Sequence, residues 1–92
     1  MSQITISIPA RLRHYLDGER LISVEATTPV QALEALVTRS VELRESLFEP
    51  SGEMRKFARI AVNGELLDPN EGLDDPIPAG SHLVIVLAIT GG

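Results

Sequence analysis

The sequence predicts an α+β domain in which one main helix covers one face of a mixed four- to five-stranded sheet. Three observations predict it. Residues 3–8 alternate strictly between apolar and polar side chains, which marks a strand with one buried side. A run from Thr28 repeats its apolar residues at helical spacing. Asn63-Gly64 stands between two short apolar runs and is a strong short-range hairpin signal.

Taken in order, Ile4, Ile6 and Ile8 point one way, and Gln3, Thr5 and Ser7 the other. Pro9 ends this strand, because it has no N–H to donate to a ladder. The stretch Arg11-Leu12-Arg13-His14-Tyr15-Leu16 then leads to the turn dipeptide Asp17-Gly18. Alternation resumes over 20–25 with Ile22 and Val24 inward, so the two runs form an antiparallel pair joined by a long loop. At the helix start, Thr28 is a cap, Pro29 suits the first helical position and Gln31 completes a capping box. Val30, Leu33, Leu36 and Val37 line one side, while Glu34, Thr38 and Arg39 face water. A shorter helical piece is expected over 41–48, where Leu43 and Leu47 lie one turn apart, and Glu49-Pro50-Ser51-Gly52 stops it. Residues 58–62 are a third strand, 65–67 its return, and 82–89 the last strand, set off by the Pro78-Ala79-Gly80 turn.

Composition narrows the function classes. A 92-residue chain with 43% hydrophobic residues makes one domain with a modest core. The net charge of −5 argues against binding nucleic acid through its phosphates. Cysteine is absent, which removes disulfides, thiolate metal sites and a cysteine nucleophile. The start, Met1-Ser2-Gln3-Ile4, has no basic segment followed by an apolar one, and the longest apolar run, Leu83 to Ile89, is far below a membrane span of about 20 residues. A cytoplasmic protein without membrane contact is expected.

Two features of the C-terminal part point beyond folding. The last strand is apolar on both parities, with Leu83, Ile85, Leu87 and Ile89 on one and Val84, Val86 and Ala88 on the other. One helix layer covers one side, so apolar surface near the tail is left for a partner, unless segment 41–57 folds over it. The chain then closes on Gly91-Gly92. Glycine orders at the highest backbone cost, so such an end is poor structural material. Without Cβ atoms it can thread a narrow channel and present its carboxylate to another protein's active site. The division expected is a folded domain over 1–88 and a flexible tail over 89–92; the alternative is a frayed end without a role.

The element order is strand, strand, helix, strand, short strand, strand, with the first and last strands parallel neighbours in the middle. This is β-grasp topology. Together with the Val62-Asn63-Gly64-Glu65 hairpin, the Pro78-Ala79-Gly80-Ser81 turn and the Gly91-Gly92 end, it resembles the ubiquitin-like sulfur carriers of the MoaD/ThiS family. The Ile6-Ser7-Ile8-Pro9 start with Leu12-Arg13, and the insert at 41–57, look more like the molybdopterin-type and cysteine-synthesis carriers than the thiazole ones. The resemblance implies a covalent carrier and not an enzyme. An E1-like adenylyltransferase/sulfurtransferase would activate the Gly92 carboxylate with ATP, a sulfur donor would displace AMP, and a synthase would accept sulfur from the resulting thiocarboxylate. It implies no permanently bound cofactor, ATP being used by the partner enzyme. Gly92 would bear the sulfur and Gly91 would let it pass down the channel. By the same analogy Leu83 and Ile85 lie in the core, while Val84 and Val86 face outward. These two, with Leu87, Ile89 and Thr90, are the expected partner-binding residues.

Other chemistry is weaker. Glu65, Asp68, Glu71, Asp74 and Asp75 form an acidic stretch, but the twelfth position of a calcium loop begun at Asp68 would be Ala79, which cannot bind a cation. A solvated acidic loop is expected, with a dock for a basic partner as the alternative. No metal site is expected. Arg11 and Arg13, and Arg55-Lys56 with Arg59, are expected to be solvated cations and not nucleic-acid contacts, since three aromatics in the chain make no stacking platform. The alternative for Arg11 or Arg13 is a contact with the activating enzyme. His14 and His82 lack metal-ligand spacing and a nucleophile partner. Two competing readings share the fold. A ubiquitin-like modifier would pass adenylated Gly92 to a lysine, with Lys56 the chain's own single possible acceptor. A plain interaction domain would make no use of the tail.

Overall fold

The computed structural model describes residues 3–55, 58–67 and 72–87. Five strands form one sheet: β1 (Gln3–Ser7), β2 (Leu21–Glu25), β3 (Ala58–Val62), β4 (Glu65–Leu67) and β5 (His82–Leu87). Their order across the sheet is β2-β1-β5-β3-β4. The β1–β5 pair is parallel and the other three are antiparallel, so the fold is the mixed β-grasp sheet expected from the element order.

Alternation within each strand sorts its side chains. Ile4, Ile6, Ile22, Ile60, Leu83 and Ile85 are buried on one side of the sheet. Helix α1 (Pro29–Val37) lies over that side and buries Ala32, Leu33, Leu36 and Val37. Burying each such large side chain contributes about 1.5–3 kcal/mol before chain entropy is set against it. Thr28 caps α1 by accepting the Gln31 N–H at 3.2 Å, with Pro29 opening the helix. Gln31 reaches one residue further back than a capping box requires. Its Oε1 accepts both the Thr27 N–H (3.0 Å) and the Thr27 hydroxyl (2.8 Å), two donors at one residue.

The expected second helix is α2 (Val41–Leu47), capped by Ser40, with Leu43 and Leu47 fully buried. It packs against α1 and against residues 10–16. Segment 41–55 therefore thickens the helix layer, and the alternative in which it folds over the opposite sheet face is not what forms. The long loop expected between the first two strands also has structure. Ala10–Leu16 is a 3-10 helix that buries Leu12 and Leu16. Its chain is held by Ile8 N–H donating to the Arg20 carbonyl (2.8 Å) and by the Arg13 Nε–H donating to the Ile8 carbonyl (3.0 Å). Pro9 breaks the strand without breaking the apolar pattern, so Leu12 and Leu16, one turn and a little apart, continue the core.

The Asn63-Gly64 turn has both residues at positive φ, 51° and 88°, which is the mirror-type turn that matches strand twist. Residues 88 and 89, expected to extend the last strand, and the tail over 89–92 lie outside the described residues.

Candidate functional site

β5 is the central strand, held by β1 on one side and β3 on the other. Its start is fastened tightly. Gly80 N–H donates to the Gln3 carbonyl (2.8 Å) and Thr5 N–H to the Ser81 carbonyl (3.1 Å), so the turn before β5 already pairs with β1. On the other flank Asn63 works as a clamp. Its Oδ1 accepts the His82 N–H at 2.9 Å, its own N–H donates to the His82 carbonyl at 2.8 Å, and its Nδ2 donates to Ser81 Oγ at 3.3 Å. Ser81, buried to 3% exposure, in turn donates to the Pro78 carbonyl at 2.6 Å. The hairpin turn thus pins the strand that leads to the tail. Sequence reasoning identified Asn63 only as a turn residue, because Ser81 and His82 are distant in sequence.

Within β5 the two parities separate. Leu83 and Ile85 are 0% and 2% exposed, while Val84 is half-buried and Val86 is 38% exposed. Leu87 sits differently from the other partner-binding candidates. It shares the core-facing parity with Leu83 and Ile85 and packs half-buried against the core edge, opposite Ala58. Part of its apolar surface is therefore buried within the domain. Gly91, Gly92, Ile89 and Thr90 lie outside the described residues.

Register joins residues on the open sheet face that are far apart in sequence. Leu21, Ser7, Val84, Ala61 and Leu66 are successive neighbours across β2, β1, β5, β3 and β4. Leu21 and Leu66 are 58% and 60% exposed. One step toward the tail, Arg59 faces Val86. One step away, His82 accompanies Thr5 and its Nε2 meets Ser7 Oγ at 2.5 Å. The result is an apolar row of Val84, Ala61 and Leu66, separated from Leu21 by the polar Ser7, with a cation beside the tail-side Val86. Leu66 and Ala61 were not singled out from the sequence. The parity of Leu66 was readable from the Asn63-Gly64 turn, whereas its alignment with Val84 needed the long-range pairing.

Among the described residues no group of three or more His, Cys, Asp or Glu side chains could hold a metal ion. Asp68 and Glu71 of the acidic stretch lie outside them, and Glu65, Asp74 and Asp75 are exposed. His14 lies against Tyr15 with ring centroids 4.0 Å apart and the ring planes tilted by 40°. No helix among the described residues is long and apolar enough to cross a membrane.

Comparison with known proteins gives consistent matches. The ThiS family model matches residues 6–92. The sulfur carrier protein CysO of Mycobacterium tuberculosis is 31% identical over 91 residues, covering 97% of this chain and 98% of that protein. In the crystal structure of the BexX/CysO complex of Amycolatopsis orientalis, the matching chain is 26% identical with a TM-score of 0.82, and the match covers 97% of this chain and 99% of that one. The structure of SAMP1, a small archaeal modifier protein from Haloferax volcanii, is 26% identical with a TM-score of 0.81, covering 98% and 99%.

Proposed function

The chain belongs to the ThiS family, and from that premise we propose that it is a sulfur carrier whose Gly92 carboxylate is converted to a thiocarboxylate. The observation that carries this reading is the position of β5. The strand that precedes the tail is clamped between β1 and β3, and its last described residue, Leu87, is five residues from Gly92. Five extended residues reach at most about 17 Å. A rigid body docked by its open sheet face can therefore deliver the carboxylate to a recessed active site, and two terminal glycines impose no side-chain width on that path.

The chemistry proposed is acyl activation followed by thiolysis. A Gly92 carboxylate oxygen attacks the α-phosphorus of ATP in the active site of an E1-like partner, and pyrophosphate leaves. The acyl-adenylate now has a good leaving group. A sulfur nucleophile adds to the acyl carbon and AMP departs; where the nucleophile is a persulfide, reductive cleavage of its S–S bond by a thiol frees the thiocarboxylate. In the active site of a sulfur-accepting synthase the thiocarboxylate sulfur attacks the acceptor and displaces its leaving group. Water then cleaves the acyl bond to the product, supplying the oxygen that restores the Gly92 carboxylate. None of these steps requires a catalytic side chain of this protein, so its role is that of a carrier. The likeness to CysO favours a cysteine-forming route among the possible acceptors. Val84 and Val86 on the open face, with Ile89 and Thr90 in the tail, are the proposed contacts with the activating enzyme.

A second reading, conjugation of Gly92 to lysine amines, is favoured by the likeness to SAMP1. It shares the adenylate and differs only in the nucleophile. The test is the intact mass of the protein after incubation with ATP, a sulfur donor and the host's E1-like enzyme. A gain of one oxygen-to-sulfur exchange, mapped to Gly92, is expected. An unchanged mass under those conditions refutes the carrier reading, and Gly-Gly remnants on lysines of other proteins would support the modifier instead.

A further inference from the structure

The helix layer holds a second candidate surface, on the side of the molecule away from the Val84 row. Two clefts of about 700 and 690 Å³ adjoin there. They share Val30, Phe48, Glu49, Gly52 and Arg55, so they form one groove between α1 and the 48–55 segment. The wall opposite α1 is a small hairpin: Phe48 bridges to Met54, Glu49 N–H donates to the Glu53 carbonyl (2.7 Å), and Arg55 N–H to the Leu47 carbonyl (2.8 Å). Loop 72–77 closes one end, fixed to the start of α1 by Val30 N–H donating to the Leu73 carbonyl (2.9 Å) and Ile77 N–H to the Thr27 carbonyl (2.8 Å).

The lining has a definite chemistry. Val30, Phe48, Met54 and Leu73 are half-buried and provide apolar surface. The rim of the larger cleft carries the carboxylates of Glu49, Glu53, Asp74 and Asp75 against the guanidinium of Arg55, and the start of β3 at Arg59 borders it. Arg55 is tied to the α2 side of the groove, where its Nε–H donates to the Glu45 carbonyl at 2.8 Å. Among the described residues those four carboxylates have no ion-pair partner; the ion pair found there joins Arg39 to Glu19 at the far end of α1. The groove follows α1 from Val30 to Val37, about 10 Å at 1.5 Å per residue, the length of three to four extended residues. An apolar floor of that length under a net acidic rim fits a short segment with apolar anchors and cationic neighbours.

We propose that this groove docks a basic, apolar-anchored peptide segment of a partner protein, independently of the open sheet face. The inference goes beyond the carrier reading and does not depend on it. Its consequence is that the protein can be held by its helix layer while the sheet face and tail are engaged elsewhere.

The test uses the full chain, isotopically labelled, titrated with a blocked nonapeptide of alternating arginine and leucine and followed by NMR. Perturbations are expected at Val30, Phe48, Met54 and Leu73 and not at Ala61, Val84 or Leu66. The triple variant Glu53→Gln, Asp74→Asn, Asp75→Asn should weaken binding about tenfold, as for the loss of two or three exposed ion pairs. A charge-matched triple outside the groove, Asp17→Asn, Glu25→Gln, Glu42→Gln, should leave affinity within about twofold. All six side chains are exposed, and an unchanged thermal melt checks that each variant is folded. Equal weakening by both triples would reduce the effect to net charge and overturn the proposal. Perturbations centred on the open sheet face, or the absence of binding, would overturn it too.

Discussion

Replacing Val86 by Asp, with Ile85→Ala as its companion, tests the division of β5 into two faces and the docking role given to one of them. Val86 is 38% exposed and Ile85 is 2% exposed, although they are adjacent. At position 86 the cost is a loss of strand propensity, on a scale spanning about 1 kcal/mol. Arg59 lies directly across from it, and an opposite-charge cross-strand pair returns about 0.2–1 kcal/mol. The net change should stay within about 1 kcal/mol, which in a domain of this size moves Tm by less than about 8 °C. Ile85→Ala removes three carbons from the closed core and should cost about 2–5 kcal/mol, lowering Tm by at least about 8 °C. Activation should respond in the opposite order. A carboxylate forced into an apolar contact loses hydration, so Val86→Asp should slow thiocarboxylate formation about tenfold or more at limiting carrier concentration. Ile85→Ala, assayed well below its Tm, should react at close to the wild-type rate. Urea or thermal unfolding gives the first comparison, and mass spectrometry of the tail with ATP and the activating enzyme gives the second. If Val86→Asp destabilised as much as Ile85→Ala, the assignment of faces would be wrong. If it left activation untouched, the open face would not be the docking surface.

Three further outcomes are expected. Deleting Gly92 should abolish modification while leaving the melt unchanged; retained modification would mean that the reacting carboxylate is not at this glycine. Asn63→Gly preserves the positive φ but removes the side-chain bonds to His82 N–H and Ser81, and should cost about 1–3 kcal/mol in urea unfolding; a neutral result would show that the clamp adds nothing to the turn. Thr28→Ala removes the acceptor of the Gln31 N–H and should destabilise by about 1 kcal/mol, measured the same way, while Thr28→Gly should recover most of that loss.

The strands and α1 were legible because their signals are local. The alternation at 3–8, the cap at Thr28 and the Asn63-Gly64 turn each act within a few residues. Even the element order was enough to place the last strand at the centre, since one helix between two hairpins leaves few ways to close a sheet. The 3-10 helix at 10–16 escaped that reading because seven residues between a proline and Asp17-Gly18 carry no sustained period; Leu12 and Leu16 fold inward only because a core is there to receive them. The same holds for α2, whose Leu43 and Leu47 were visible as a pair but whose side of the sheet was not.

By itself, then, the sequence determined the periodic elements, their caps and turns, and the two-glycine end, all consequences of short-range backbone and side-chain chemistry. Tertiary structure alone decided which distant residues meet. It aligned Leu66 and Ala61 with Val84, set Arg59 across from Val86, and brought Asn63 to the start of β5. It also formed the groove between α1 and the 48–55 hairpin. The physical reason is that strand register and helix docking are chosen by the joint burial of many apolar side chains. That quantity belongs to the assembled core and to no single stretch of chain.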